Sequence, residues 1–457
     1  MTPRTHVPSM GDARSPEATQ LALPGVVESL SHRYVRSGPD LVHEIVVGRR
    51  TFTSSIRLES TDPTDDLLGA WWKAYLRGVR PDTNARGPAV RVAELFCASG
   101  GLVLGVDQAA RELELGVRSI AAVDQDEEAL AIYRRHNSTS VTTTKSVSTL
   151  VDYRVRGQGE DCTFVYEPEL VDPEWSDLVG SIDVLLAGPP CQGHSNLNNR
   201  TRRNDERNAL YLTVPAIGVA LRAPIVVIEN VQAVVHDRKQ VVQSAIALLE
   251  RAGYSVTTHV LRAAELGWPQ RRQRFFVVAR RDRPPLPLAE VSRVFSAEPR
   301  DLWWAIGDLE HHDSDHFMDQ QPELSEENRR RIDWLFDNDE YDLALDQRPT
   351  SHRNGTTYNA VYGRLRPDQP SPTITTGFMT PGRGRYIHPT QRRVLTAREA
   401  ARLQGFPDTY DFTVRRGAPP SKAKLSKWIG DAVPMPLGYV AAIAALAPGW
   451  PPTTHRS

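Results

Sequence analysis

The sequence predicts an α/β fold: helices packed on a mainly parallel sheet, with a smaller irregular domain and an N-terminal extension attached. Three observations carry that reading. Short apolar runs such as Val184, Leu185, Leu186 and Ala187 stop at Gly188, Pro189 and Pro190, the pattern of a buried strand feeding a loop. Helical patterns separate such runs, so strands and helices alternate. From about residue 284 to 388 that rhythm is lost, and prolines, glycines and turns become frequent.

At 457 residues the chain has room for two or three domains. Its 40% hydrophobic and 24% charged residues are ordinary for a soluble globular protein. The net charge of -1, from 55 basic and 56 acidic side chains, neither demands nor excludes nucleic acid, because local patches outweigh the sum. The first 20 or so residues are polar and Pro/Ser-rich, carry no apolar signal core, and are expected to be disordered. No stretch has the apolar length of a bilayer span, so no membrane role is expected. Cys97, Cys162 and Cys191 make no disulfide framework and suit a reducing, cytoplasmic setting.

Residues 42–60 read as a β-hairpin. Residues 65–78 read as a short helix, with Leu68, Trp71, Trp72, Tyr75 and Leu76 at helical spacing and Gly78 as its C-cap. Its aromatics belong to packing rather than a ligand cage, and residues 81–88 are a linker by composition. At Val90 an apolar strand begins, followed by a Gly-rich turn and a helix through Gln108 and Leu113. A second strand, 119–123, ends in Asp124, and a third helical pattern starts at Glu127. This is the first half of a Rossmann-like unit. Its glycines admit close backbone approach, its helix N-terminus is positive, and its strand-end acid can accept hydrogen bonds from a ribose diol. Asp126, Glu127 and Glu128 read as a solvated helix face.

Ligands of open α/β sheets sit at the carboxyl ends of strands. Cys191 follows such an end on a loop stiffened by two prolines, although most lone cysteines are inert core residues. Residues 197–211, with Arg200, Arg202, Arg203 and Arg207, are either a surface loop or a lid whose guanidinium groups meet phosphates. The strand 224–231 ends in Glu229-Asn230, a costly place for a carboxylate unless it is partnered or functional. Gln270, Arg272 and Arg274 alternate ahead of the strand 275–279; in an extended segment all three face one side, which suits an anionic or polar-base ligand at a third strand end. The run HHDSDH (311–316) reads as a surface loop rather than a metal site, because no second ligand cluster stands at suitable spacing. Arg364, Arg366, Arg383 and Arg385, interleaved with glycines, suit a surface that follows a phosphate backbone. Thr396 and Glu399 have capping-box spacing. The chain closes with a strand-end turn in WIGDAVP (428–434) and an amphipathic core helix.

In this order LFCASGG, Asp124, GPPCQGHS, IENV, QRRQR, REAARLQGFPD and IGDAVP resemble the bacterial cytosine-C5 DNA methyltransferases, over residues 90–447. The resemblance implies an S-adenosylmethionine-dependent methyltransferase sheet in residues 89–283, a target-recognition domain in 284–388, and a return to the catalytic domain in 389–457. It leaves residues 1–88 without a role. It makes Cys191 the nucleophile on C6 of a flipped-out cytosine and Glu229 the partner of ring N3. Arg274 would bind O2, Arg272 would support the cysteine and carboxylate, and Gln192 and Ser195 would hold the loop and the target nucleotide. The methyl donor would lie against Phe96, Cys97, Ala98, Ser99, Gly100, Gly101, Asp124, Gln125, Pro190, Leu210, Asp431 and Val433. Arg200, Arg202, Arg203, Arg207, Arg364, Arg383 and Arg385 would meet double-stranded DNA, in a nucleoid-associated bacterial protein that needs no metal. A restriction or defence system is a further implied partner. An RNA (tRNA) cytosine methyltransferase uses the same machinery, and a non-catalytic binding protein on this fold predicts a broken Cys/Glu/Arg set, whereas all three are present. The sequence departs from the family at Ala98 (usually glycine), at His194 (usually aromatic) and at Asp431 (usually asparagine). It also lacks, in residues 142–150, the acid expected to meet adenine.

Overall fold

The structure, a computed structural model, describes residues 29–58, 66–83, 89–190, 210–312, 314–350, 361–414 and 417–449. Cys191, Gln192, His194, Ser195, Arg200, Arg202, Arg203 and Arg207 therefore lie outside the described residues, as do the first 20 or so.

The N-terminal part is an antiparallel meander: β1 (Leu30–Ser37), β2 (Asp40–Val47) and β3 (Arg50–Arg57), turning at Gly38-Pro39 and Gly48-Arg49. The anticipated hairpin is thus two of three strands. β1 gave little signal because only Leu30 of LSHRYVRS is fully buried. Helix α1 (Leu67–Leu76) starts on an Asp66 cap and buries Trp71, Trp72 and Tyr75 in the core. Asp82–Thr83 (β4), expected in a linker, instead pairs with Ser54 and Ser55.

The central sheet is built from β5 (Val90–Leu95), β6 (Val117–Val123), β7 (Val141–Thr143), β8 (Val184–Ala187), β9 (Ile225–Asn230), β10 (Ser255–Arg262) and β11 (Gln273–Arg280). Its order is β10-β11-β9-β8-β5-β6-β7, and only β11 runs against its neighbours. Alternation along each strand divides the core. Val92, Val184, Leu186 and Val227 face α2 (Gly101–Glu112) and the N-terminal meander, while Ala93, Leu185, Val226 and Ile228 face α4 (Leu210–Ala220) and α5 (Val241–Arg251). Helix α3 (Glu127–Asn137) follows β6 as anticipated. Asp126 corrects the solvated-face reading: it caps α3 and accepts the indole N–H of Trp428 at 2.8 Å.

A buried polar chain fastens the N-terminal meander to α2. Glu112 accepts from His43 Nδ1 (2.7 Å), Gln108 Nε2 (2.6 Å), Trp71 Nε1 (3.1 Å) and the Tyr439 hydroxyl (2.5 Å). Behind it His43 Nε2 lies 3.0 Å from His32 Nδ1, and His32 Nε2 lies 3.1 Å from the Val294 carbonyl. Burial, with His43 nearby, pushes His32 down to about 3; it stays neutral and keeps its proton on the nitrogen facing that carbonyl.

After β11 no strand occurs among the described residues. Helix α6 (Leu288–Val294) still packs on the first core, and α7 (Leu302–Ile306) on a second core. Beyond them, α8 (Glu326–Asp337) helps enclose a third core of Ile332, Leu335, Leu343, Val361, Tyr362, Ile387 and Val394. Two readings need correction at the C-terminal end. WIGD closes helix α10 (Lys422–Asp431) and is no strand-end turn. Helix α11 (Met435–Leu446) is buried at every position rather than amphipathic, because it threads between α2, α6 and the sheet. It crosses α2 closely: a β-carbon on Gly105 would lie 2.4 Å from the Tyr439 amide nitrogen.

The capping box of α9 (Ala397–Gln404) is present, and its Glu399 has a second task. The carboxylate accepts from Arg393 at 2.8 and 2.7 Å and lies 3.4 Å from His388 Nε2. Burial alone would raise its pKa, but the bonds and charges of Arg393 and His388 hold it down to about 2. A depressed carboxylate stabilises the fold above its unfolded pKa, and that contribution is lost as pH falls through the folded value. Glu399→Gln should therefore cost on the order of 3 kcal/mol at pH 7 and flatten the stability profile between about pH 5 and pH 2, read from urea melts across that range.

Candidate active site

The sheet order reverses between β5 and β8, and a cavity of about 690 Å³ opens at the carboxyl edge there. Phe96, Cys97, Ala98 and Gly101, from the turn after β5, form one wall. Ala98 has a left-handed φ of 44°, where glycine is at ease and a methyl costs about 1 kcal/mol, which gives the first departure its physical content. Ser99 and Gly100 do not line the cavity: the Ser99 carbonyl accepts from the Tyr410 hydroxyl, and a β-carbon on Gly100 would meet Tyr410 and Tyr133. Burial and the charges of Glu94 and Asp124 push the Cys97 thiol well up, so it is no nucleophile.

Asp124 and Gln125 follow β6 into the wall. The two Asp124 oxygens are aimed by the amides of Ala98 (2.8 Å) and Asp126 (2.8 Å). Burial still raises its pKa against these bonds. Sequence reading missed Glu94 on the cavity floor, because it sits inside an apolar run. Burial pushes it up to about 8, against a hydrogen bond with Tyr133, and its Oε2 has no partner. Lys145, Ser146 and Val147 line the stretch where the adenine acid is lacking; Lys145 is bound to Asp172 at 2.6 Å.

Glu229, next to last in β9, is 7% exposed, with its Oε1 2.8 Å from Arg274 Nε. Burial raises its pKa and the charges of Arg274 and Arg272 oppose the rise, with burial prevailing. Next to it Asn230 Nδ2 donates to the Pro189 carbonyl at 3.1 Å, tying down the loop that leads to Cys191. The sequence had named Asn230 without giving it work.

β11 is antiparallel to β9, so the two arginines reach this edge from the start of a strand, not from its end. Arg274 and Arg272 line the cavity, but Gln270 does not. It is fully buried and donates to Leu403 O and Gln404 Oε1. Arg272 lends charge to Glu229 and donates hydrogen bonds to the carbonyls of Ile374 (2.7 Å) and Gly430 (2.9 Å). Pro190, Leu210, Asp431 and Val433 complete the wall, joined by Lys427, which pairs with Asp431 at 2.5 Å and which sequence reading did not single out.

The arginines of the irregular body divide. Arg383 is exposed. Arg364 bonds Pro389 O (2.7 Å) and stacks on Phe336 and Tyr341; Arg385 bonds Tyr341 O, Arg364 O and Asp342. Those two thus bind within the third core, whatever they offer to a phosphate backbone. His311 is exposed, and among the described residues no group of three or more metal-type ligands converges.

Residues 90–445 match the family described as C-5 cytosine-specific DNA methylase. The chain is 36% identical over 437 residues to the Type II methyltransferase M1.BsuMI of Bacillus subtilis, covering 94% of this chain and 98% of that protein. It is 30% identical to the Type II methylase M.HgiDII of Herpetosiphon aurantiacus, covering 77% and 93%. The fold aligns with the S. pombe Dnmt2 methyltransferase at a TM-score of 0.51 and 16% identity, over 79% of this chain and 99% of that one. A sheet with its cavity at the switch point, a buried Glu229 and the family match over residues 90–445 lead to one statement: the chain belongs to the C-5 cytosine-specific DNA methylases, which methylate cytosine C5 in DNA.

Proposed function

We propose that this enzyme methylates a flipped-out cytosine in duplex DNA, using S-adenosylmethionine held in the 690 Å³ cavity. The observation that carries the reading is the buried Glu229–Arg274 pair opening onto the same cavity as the doubly aimed Asp124. The cavity residues fit the donor: Asp124 suits the ribose hydroxyls, Phe96 and Val433 offer apolar walls, and the unpartnered Glu94 Oε2 leaves polar capacity on the floor. When bound, the donor supplies an electrophilic methyl group.

Cys191, as thiolate, adds to C6 and makes C5 nucleophilic. Glu229 supplies a proton at N3 as negative charge develops there, and burial keeps that proton on the carboxyl to higher pH than in water. Arg274 holds O2 of the ring. Loss of the C5 proton then expels the thiol and leaves 5-methylcytosine. Gln192 and Ser195 keep the loop in place, and Arg200, Arg202, Arg203 and Arg207 close over the phosphates as a lid. Residues 284–388, with Arg383 exposed on them, read the target sequence. The Type II names of the relatives support pairing with a restriction or defence system in a bacterial cytoplasm.

The test is bisulfite mapping of DNA and of tRNA from cells expressing wild type or Cys191→Ser. One recurring methylated sequence, present with the wild type alone, is the expected result. Methylation surviving in Cys191→Ser, or found only in tRNA, overturns the reading.

A further inference from the structure

We propose that Arg272 couples the donor cavity to segment 371–376 of the proposed target-recognition domain (284–388), as a positioning residue between the two. The inference rests on the donor occupying the cavity as proposed above. Arg272 is 3% exposed, and its Nη1 donates to the carbonyls of Ile374 at 2.7 Å and Gly430 at 2.9 Å, with Nη2 3.4 Å from the Asp431 carbonyl. One planar group thus spans the lead into β11, the segment 371–376 and the last turn of α10. The final carbonyls of a helix lack partners within it, and a cation there also suits the helix dipole. In α10 these carbonyls are shared between Arg272 and Gln404, whose Nε2 bonds Ile429 O at 2.6 Å.

The junction has no slack. A β-carbon on Gly430 would lie 2.4 Å from the Thr375 carbonyl carbon, so helix and segment touch backbone to backbone. Ser426 donates to Thr376 O at 2.6 Å. On its other side the segment is stitched to the arginine run, with Arg271 N donating to Ser371 O (2.8 Å) and Ser371 N to Pro269 O (2.9 Å). Asp431, Ala432 and Val433 come directly after Gly430 and line the cavity together with Arg272. A shift of 371–376 therefore moves the cavity wall, and by linkage a ligand that fixes the wall steadies 371–376. Lysine would not replace the arginine, because its three donors rotate on a flexible stem, whereas the rigid guanidinium plane fixes the angle between the carbonyls and offers a second nitrogen toward Asp431 O.

Hydrogen exchange of the full chain, with and without S-adenosylhomocysteine, tests this. In the wild type the compound should slow exchange directly at residues 96–101 and 124–126. It should also slow exchange at residues 371–378 by about fivefold or more, the low end of ordinary coupling. In Arg272→Lys the direct protection should persist and the transmitted protection should vanish. Ser426→Ala, which cuts only the parallel contact, should transmit as the wild type does. Direct protection without the transmitted part in the wild type, transmission surviving in Arg272→Lys, or its loss in Ser426→Ala overturns the coupling. Absence of protection at 96–101 instead overturns the donor reading.

Discussion

Glu229→Gln is expected to lower kcat for cytosine methylation by roughly 10²- to 10³-fold, within the usual range for a positioned proton donor, with a much smaller change in DNA affinity. The amide keeps the shape but has no acidic proton to give N3. It also removes the negative partner of Arg274, now 2.8 Å away. Because burial raises the Glu229 pKa, the wild type should lose activity on the alkaline side as this carboxyl ionises, and that limb should be missing from the residual activity of Glu229→Gln. Steady-state rates across pH on a mapped target site check both statements. An unchanged kcat would leave N3 without this partner.

The largest stability effect is expected at Glu112, far from the chemistry. Glu112→Ala strips four donors of their acceptor inside the core: His43, Gln108, Trp71 and Tyr439. Breaking a buried charged network by deleting one member costs about 3–5 kcal/mol. Burial and the Glu112 charge hold the Tyr439 hydroxyl well above its ordinary pKa, so it stays a donor at any working pH. Glu112→Gln should cost less, since it retains an acceptor oxygen. Urea midpoints of the two variants separate these outcomes; equal midpoints for Glu112→Ala and wild type would show that the network contributes nothing.

Much of the sheet was legible because buried strands write themselves as short apolar runs punctuated by Gly and Pro. β5, β6, β8, β9 and β11 all carry that mark, and the residues at their active edge followed: Asp124, Glu229, Arg272 and Arg274 all line the one cavity. The capping box at Thr396 was legible for a similar reason, being a contact between residues three apart. What the sequence concealed depends on contacts between distant segments. Nothing local in LSHRYVRS or DLVHEIVV announces that His32 will meet His43, or that His43 will meet Glu112 across 69 residues of chain. Nor does alternation in QRRQR reveal that Gln270 turns to α9 while Arg272 grasps two carbonyls more than a hundred residues away. Glycine-interleaved arginines look alike on paper; packing against Phe336 and Tyr341 distinguishes Arg364 from the exposed Arg383.

The placement of α11 has a consequence for how such enzymes diversify. The chain leaves the sheet after β11, builds its irregular body, and only then sends α11 back to lie against α2. That body is therefore an inlay rather than an appendage: its two seams both lie on the core. A graft exchanging the inlay between relatives keeps every described strand and both glycine-crossed helices, whereas trimming the chain from its carboxyl terminus strips α11 from its seat on α2 before it reaches the inlay at all.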